Sequence, residues 1–126
     1  MSAKSTKTSA EEVVQPAAEE EREAGLKNLI SMISDEQAEG ILSLYNPNIL
    51  RKVFGDGELM RTADCFLRNS LNISAAARNI YMHRNTMMYR LDKIERLTGL
   101  DIRTFDDALT FDILHKLYER KLRSGK

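Results

Sequence analysis

Residues 72–99 read NISAAARNIYMHRNTMMYRLDKIERLTG, two helical signals separated by a short break. In the first signal, Asn72 or Ser74 can cap a short helix whose buried side is Ala76, Ala77 and Ile80. Tyr81, Met82 and His83 form the break. The second signal runs from Arg84 to Thr98, with Gly99 at the position where helices commonly turn left-handed and stop. On an ideal helix, at ~100° per residue, Met87, Leu91, Ile94 and Thr98 share one side. Asn85, Tyr89, Lys93 and Arg96 fall opposite, Thr86 lies toward one edge, and Arg84 and Arg90 lie on the flanks. Of Met82, Met87 and Met88, only Met87 sits in the core stripe, so the segment is two-faced and not simply a methionine-rich core helix.

A short helix, a tight break and a longer helix with a basic, polar outer face make a helix-turn-helix. Such a unit suits DNA because a helix fits the major groove and its first turn reaches base edges. Ala77 is small enough to let the two helices cross, and Ile80, Met82 and Met87 would pin the turn. Arg84 can grip guanine, Asn85 can pair with adenine, and Thr86 can meet phosphate or a thymine methyl. With Tyr89, these are the candidates for base readout. Arg78, His83, Arg90 and Lys93 are the candidates for phosphate, next to an anion-attracting helix N-terminus. His83 has two readings, helix cap or phosphate contact. Arg90 also has two, phosphate or an ion pair with an acidic neighbour such as Asp64 or Glu95. Met88 reads as a surface methionine more readily than as a contact to a thymine methyl. Asp92 is unfavourable on such a face, but it lies two turns in.

Outside this unit the chain is also helical in pattern. Leu26, Leu29, Ile30 and Ile33 recur at i, i+3, i+4 and i+7. Ser34 and Gln37 have the spacing of a capping box, opening a helix with Ala38, Ile41, Leu42 and Tyr45 on one face, expected to end at Asn46-Pro47-Asn48. Ile49, Leu50, Val53 and Phe54 give one or two more turns, stopped by Gly55-Asp56-Gly57. A clearer helix spans Glu58 to Asn69, with Leu59, Ala63, Phe66 and Leu67 inward. Thr104-Phe105-Asp106-Asp107 opens a last helix reaching about Leu122. No strand alternation or repeat interrupts the pattern. The expected fold is all-α, a helical bundle containing a helix-turn-helix. Residues 1–24, small, polar and acidic, are expected to form a disordered arm, with helix admitted near its Glu-rich end.

Charge and composition narrow the function classes. The 126 residues carry 19 Lys and Arg against 19 Asp and Glu, which argues against a general polyanion binder. The distribution is uneven, however. Arg61, Arg68, Arg78, Arg84, Arg90, Lys93 and Arg96 outnumber Asp64, Asp92 and Glu95 within residues 61–100, a basic block of the kind a nucleic-acid partner requires. The single cysteine, Cys65, excludes an internal disulfide and reads as a small core residue. His83 and His115 have no Cys, Asp or Glu cluster to join them at a metal or catalytic site, so neither enzyme nor cofactor is expected. No segment has the ~20 apolar residues of a membrane span, and a cytoplasmic protein is expected.

The segment TADCFLRNSLNISAAARNIYMHRNTMMYRLDKIERLTGLDIRTFDDALTFDILHKLY resembles the C-terminal helix-turn-helix domain of PucR-type transcription regulators, the group that includes the carbohydrate-diacid regulators. His83, Arg84, Asn85, Thr86, Tyr89, Arg90, Leu91, Thr98 and Gly99 match the family pattern, and the likeness covers roughly residues 58–118. The nucleoid protein Fis has a similar core. The resemblance implies a sequence-specific, double-stranded-DNA-binding regulator; a Fis-like architectural binder and a helical protein-interaction module are the alternatives. Thr62-Ala63 stands where a Leu often follows the Thr. Such regulators usually carry a large sensor domain upstream, so the chain is either a minimal regulator or part of a longer one, and its effector is left open. By this reading, residues 25–57 are short helices available for dimerisation and residues 58–122 are the DNA-binding domain.

The last helix bears on assembly. Phe105, Leu109, Ile113 and Leu117 form one apolar stripe, and Phe111, Leu114 and Tyr118 form another. A helix apolar on two sides is usually covered on both. A homodimer is therefore expected, formed through this helix or through the helices at 26–54.

Overall fold

The computed structural model describes residues 19–125, with side chains from Ala24 onward; among them are seven helices and no strand. The expected all-α fold is the one observed. The described residues fall into two units, 19–32 and 33–125. In the first, α1 (Glu19–Ser31) begins before Leu26 and takes in the Glu-rich end of the expected acidic arm. The remainder of that arm, residues 1–18, lies outside the described residues. Leu29 and Met32 are exposed.

The second unit contains α2 (Asp35–Leu42), α3 (Pro47–Phe54), α4 (Gly57–Arg68), α5 (Ile73–Asn79), α6 (Arg84–Thr98) and α7 (Phe105–Arg123). Local chemistry sets most of their starts. Ser34 Oγ accepts from the Gln37 N–H at 3.0 Å while Gln37 Oε1 accepts from the Ser34 N–H at 2.9 Å, the reciprocal box read from the sequence. Asp56 accepts from the Leu59 N–H, and Asn72 from the Ala75 N–H, which decides between Asn72 and Ser74.

Two boundaries differ from expectation. Pro47 does not end α2; it opens α3 at the first helical position, where its missing N–H costs nothing, behind an Asn46 cap bonded to the Asn48 N–H. α2 has already stopped at Leu42, where Ser43 turns its hydroxyl back to the Gly40 carbonyl. Thr104 precedes α7 but makes no side-chain cap; its hydroxyl donates backward to the Asp101 carbonyl at 3.0 Å.

Phe66, Phe111, Leu59, Ile102 and Leu117 are almost wholly buried. Phe54 of α3 packs its ring against Phe111, His115 and Tyr118 of α7, with centroids 5.1–5.4 Å apart. His115, stacked there with its Nε2 3.3 Å from the Glu119 carboxylate, belongs to this packing. The buried stripe of α7 is Ala108, Phe111, Leu114 and Leu117, so the two sequence stripes merge in part, leaving Phe105 and Leu109 outside at 69 and 38 % exposure.

Helices α4, α5 and α6 pack on one another. Ala76 has no exposure and Ala77 almost none. The Cys65 thiol of α4 donates to the Ala76 carbonyl at 3.3 Å, giving the cysteine its structural place. Ala76→Leu should overpack this crossing and destabilise the protein by about 1–3 kcal/mol, a fall on the order of 10 °C in thermal midpoint for a unit this size. Ala75→Leu, on the half-exposed side of the same helix, should change it little. Thermal unfolding of the two variants distinguishes a tight crossing from a loose one.

Candidate nucleic-acid interface

The unit read from the sequence is present as a helix-turn-helix. Helix α5 ends at Asn79, and the Met82 N–H reaches back to the Ala77 carbonyl at 2.8 Å to close the turn. Helix α6 then begins at Arg84. Its inner stripe, Met87, Leu91 and Ile94, has no exposure at all. Thr98 lies at the end of that stripe and acts as a terminator. Its hydroxyl donates to the Ile94 carbonyl and accepts from the Leu100 N–H, while Gly99, at φ 80°, takes the left-handed turn.

The outer face carries the residues singled out for base readout. Arg84, Asn85 and Thr86 are exposed in the first turn, and Tyr89 is exposed one turn later. The Arg96 guanidinium lies over the Tyr89 ring, 5.7 Å from its centroid. Of the residues considered for phosphate, Arg78 and His83 are exposed and Lys93 is half-buried. His83 is the helix cap, its Nδ1 accepting from the Asn85 N–H at 3.1 Å, which leaves the other ring nitrogen uncommitted to the cap.

Arg90 is used differently. Its guanidinium donates to Thr62 Oγ1 at 3.0 Å and lies 3.2 Å from the Glu58 carboxylate. Thr62 has no exposure and donates in turn to the Glu58 carbonyl. Arg90 thus ties α6 to α4, and its partner is Glu58 instead of Asp64 or Glu95. The Thr62 hydroxyl is one anchor of the tie.

The acidic residues near α6 are neutralised from a direction the sequence reading missed. Arg103, in the connection to α7, bonds Asp92 at 2.8 Å, Glu95 at 3.0 Å and Asp101 at 2.6 Å. Asp92 and Glu95, three residues apart, occupy one edge of α6 and share this cation, which removes the objection to Asp92. The i, i+3 carboxylate pair was the available signal, since two such neighbours repel mildly and a cation between them relieves it. Arg103 in return holds the Asp101 carboxyl below its usual range, chiefly through their side-chain hydrogen bond.

Residues 59–116 match the PucR C-terminal helix-turn-helix domain. This segment is a PucR-type helix-turn-helix domain. Among curated proteins similar to it, the carbohydrate diacid regulator of Escherichia coli is 36% identical over 72 residues, 57% of this chain and 19% of the relative. The purine catabolism regulatory protein of Bacillus subtilis is 34% identical over 68 residues, 52% of this chain and 13% of the relative. The proline-responsive transcriptional activator PutR of Bacillus subtilis is 33% identical over 48 residues, 38% of this chain and 12% of the relative. The chain therefore spans less than a fifth of the length of each of these relatives. No solved structure matches it significantly. No helix among the described residues is long and apolar enough to cross a membrane.

In this PucR-type domain, Arg103→Ala should lower stability by about 1–2 kcal/mol at neutral pH, most of it from the Asp101 bond, because the half-exposed Asp92 and Glu95 pairs count for little. The Asp101 carboxyl is depressed in the fold, so its contribution is complete above the ordinary carboxylate pKa and is lost as pH falls through the folded value. Urea unfolding at pH 7 and pH 3 should show the gap between variant and parent closing in acid. A gap of equal size at both would mean that Arg103 acts by packing instead of charge.

Proposed function

We propose that the chain is a sequence-specific, DNA-binding transcription regulator whose α6 enters the major groove. The observation carrying this reading is the first turn of α6, where Arg84, Asn85 and Thr86 stand exposed on a helix whose opposite stripe is completely buried. A helix locked on one side can bring such a turn to base edges in a fixed register. Arg84, Asn85, Thr86 and Tyr89 read bases. Arg78, His83 and Lys93 meet phosphates, and Arg90, occupied by Thr62 and Glu58, sets the pose of α6. The relatives' names differ in what they mention, carbohydrate diacids, purine catabolism or proline, and agree in naming regulators or an activator, which supports a shared task for the domain they have in common.

The regulator works without catalysis or cofactor, in the cytoplasm, as a homodimer that presents two α6 helices to half-sites about one DNA turn (~34 Å) apart. The exposed Phe105 and Leu109, beside Leu67 and Leu71 in a shallow apolar groove, support self-association through α7. A pure monomer in sedimentation at micromolar concentration would remove the dimer from this scheme.

Selection of bound fragments from random DNA at two salt concentrations tests the reading directly. A recurrent motif retained at the higher salt is expected; salt-sensitive binding without a motif would mark an architectural binder, and no binding an interaction module. With the motif in hand, Arg84→Ala should cost about 1–3 kcal/mol on the selected site alone. Lys93→Ala should weaken all sequences alike and reduce the salt slope by about one. Identical behaviour of the two variants on selected and random DNA would refute the assignment of roles.

A further inference from the structure

The turn between α5 and α6 passes through Tyr81 at φ 52°, in the left-handed region. A residue with a β-carbon meets steric resistance there, and glycine or asparagine is the common occupant. The strain is ordinarily offset by burial or a side-chain bond, but Tyr81 is 97 % exposed. What the turn uses is main chain. The Tyr81 N–H donates to the Arg78 carbonyl at 3.2 Å, and the following Met82 N–H donates to the Ala77 carbonyl. Glycine would make both bonds with less strain. Folding therefore accounts for the turn but not for the ring.

The surroundings of the ring suggest its use. Exposed Arg78 precedes it by three residues and exposed Arg84 follows it by three, so the phenol is carried on a segment flanked in the chain by two exposed cations. His83, whose Nδ1 holds the α6 cap, separates it from the reading turn. An exposed aromatic ring in a short segment that also carries exposed cations has a natural complement in the sugar–phosphate backbone, where deoxyribose offers an apolar face and phosphate accepts a hydroxyl proton.

We propose that Tyr81 is a backbone-contacting residue of the DNA interface, its ring against a deoxyribose beside the entering end of α6 and its hydroxyl donating to a phosphate oxygen. This rests on the reading of α6 as a groove helix. Because the phenol is uncharged, it adds contact without displacing a counter-ion. Its loss weakens binding to all sequences and leaves the salt dependence unchanged, which separates it from Lys93.

The test is a set of binding titrations of the full chain on the selected site and on random DNA at two salt concentrations, with the parent, Tyr81→Phe, Tyr81→Ala and Tyr81→Gly, together with thermal unfolding. Tyr81→Ala and Tyr81→Gly should lose roughly three- to tenfold in affinity on both DNAs, with an unaltered salt slope and with Tyr81→Phe in between. Tyr81→Gly should keep or raise the thermal midpoint, since it relieves the turn. Parent-like binding by Tyr81→Ala and Tyr81→Gly would overturn the proposal while leaving the groove reading intact. So would a loss in Tyr81→Gly alone, which marks chain flexibility, or a loss confined to the selected site, which marks base readout. A lowered midpoint in Tyr81→Gly would return the ring to the fold and overturn it as well. Absence of DNA binding by the parent would instead remove the groove reading, and this inference with it.

Discussion

A helix can offer a fixed row of side chains to a partner only if its other side cannot roll. In this chain that condition rests on Met87, Leu91 and Ile94, three side chains of α6 with no exposure, seated against α4 and α5 through the close approach at Ala76 and Ala77. The remaining features elaborate that seat. The Arg90–Thr62–Glu58 tie limits rotation of α6 about its axis, and the Met82–Ala77 bond fixes where the helix starts. Thr98 and Gly99 fix where it ends. Apolar packing supplies the stabilisation and polar bonds supply the register, a division expected where a buried hydrogen bond adds little net energy but is costly to leave unmade.

Electrostatics follow the same plan. A neutral chain presents a basic face because its local acids are paired with Arg103 on another edge of α6. Net charge was a poor guide for that reason: it sums groups already paired inside the structure together with groups facing solvent.

How far the sequence could be read follows from the range of the interactions involved. Periodicity and capping act over three or four residues, so the bounds of α6 and the Ser34–Gln37 box are legible in the sequence, and the cap of α5 is narrowed there to Asn72 or Ser74. The exposed state of Arg84, Asn85, Thr86 and Tyr89 was visible for the same reason. Interactions that cross between elements were not. Arg90 finds a partner 32 positions back, Glu58 instead of Asp64 or Glu95, since only the packing of α4 against α6 decides which carboxylate is near. The outward placement of Phe105 and Leu109 likewise depends on which side of α7 Phe54 covers. Pro47 has two local effects, excluding the preceding residue from helix and favouring a first helical turn, and the second is the one that places it at the start of α3.

The helix caps have a consequence for how the chain reaches this structure. Ser34, Asn46, Asp56, Asn72 and His83 each bond an amide two or three residues ahead, so each of these helix starts is specified within its own segment. Helices as short as α2, α3 and α5 gain their stability only on packing, but with their starts marked locally the search that remains is a docking of biased segments over short connections instead of a pairing of distant ones. Such low-contact-order chains fold in microseconds to milliseconds, and the agreement between local and global preference leaves few competing arrangements in which to stall.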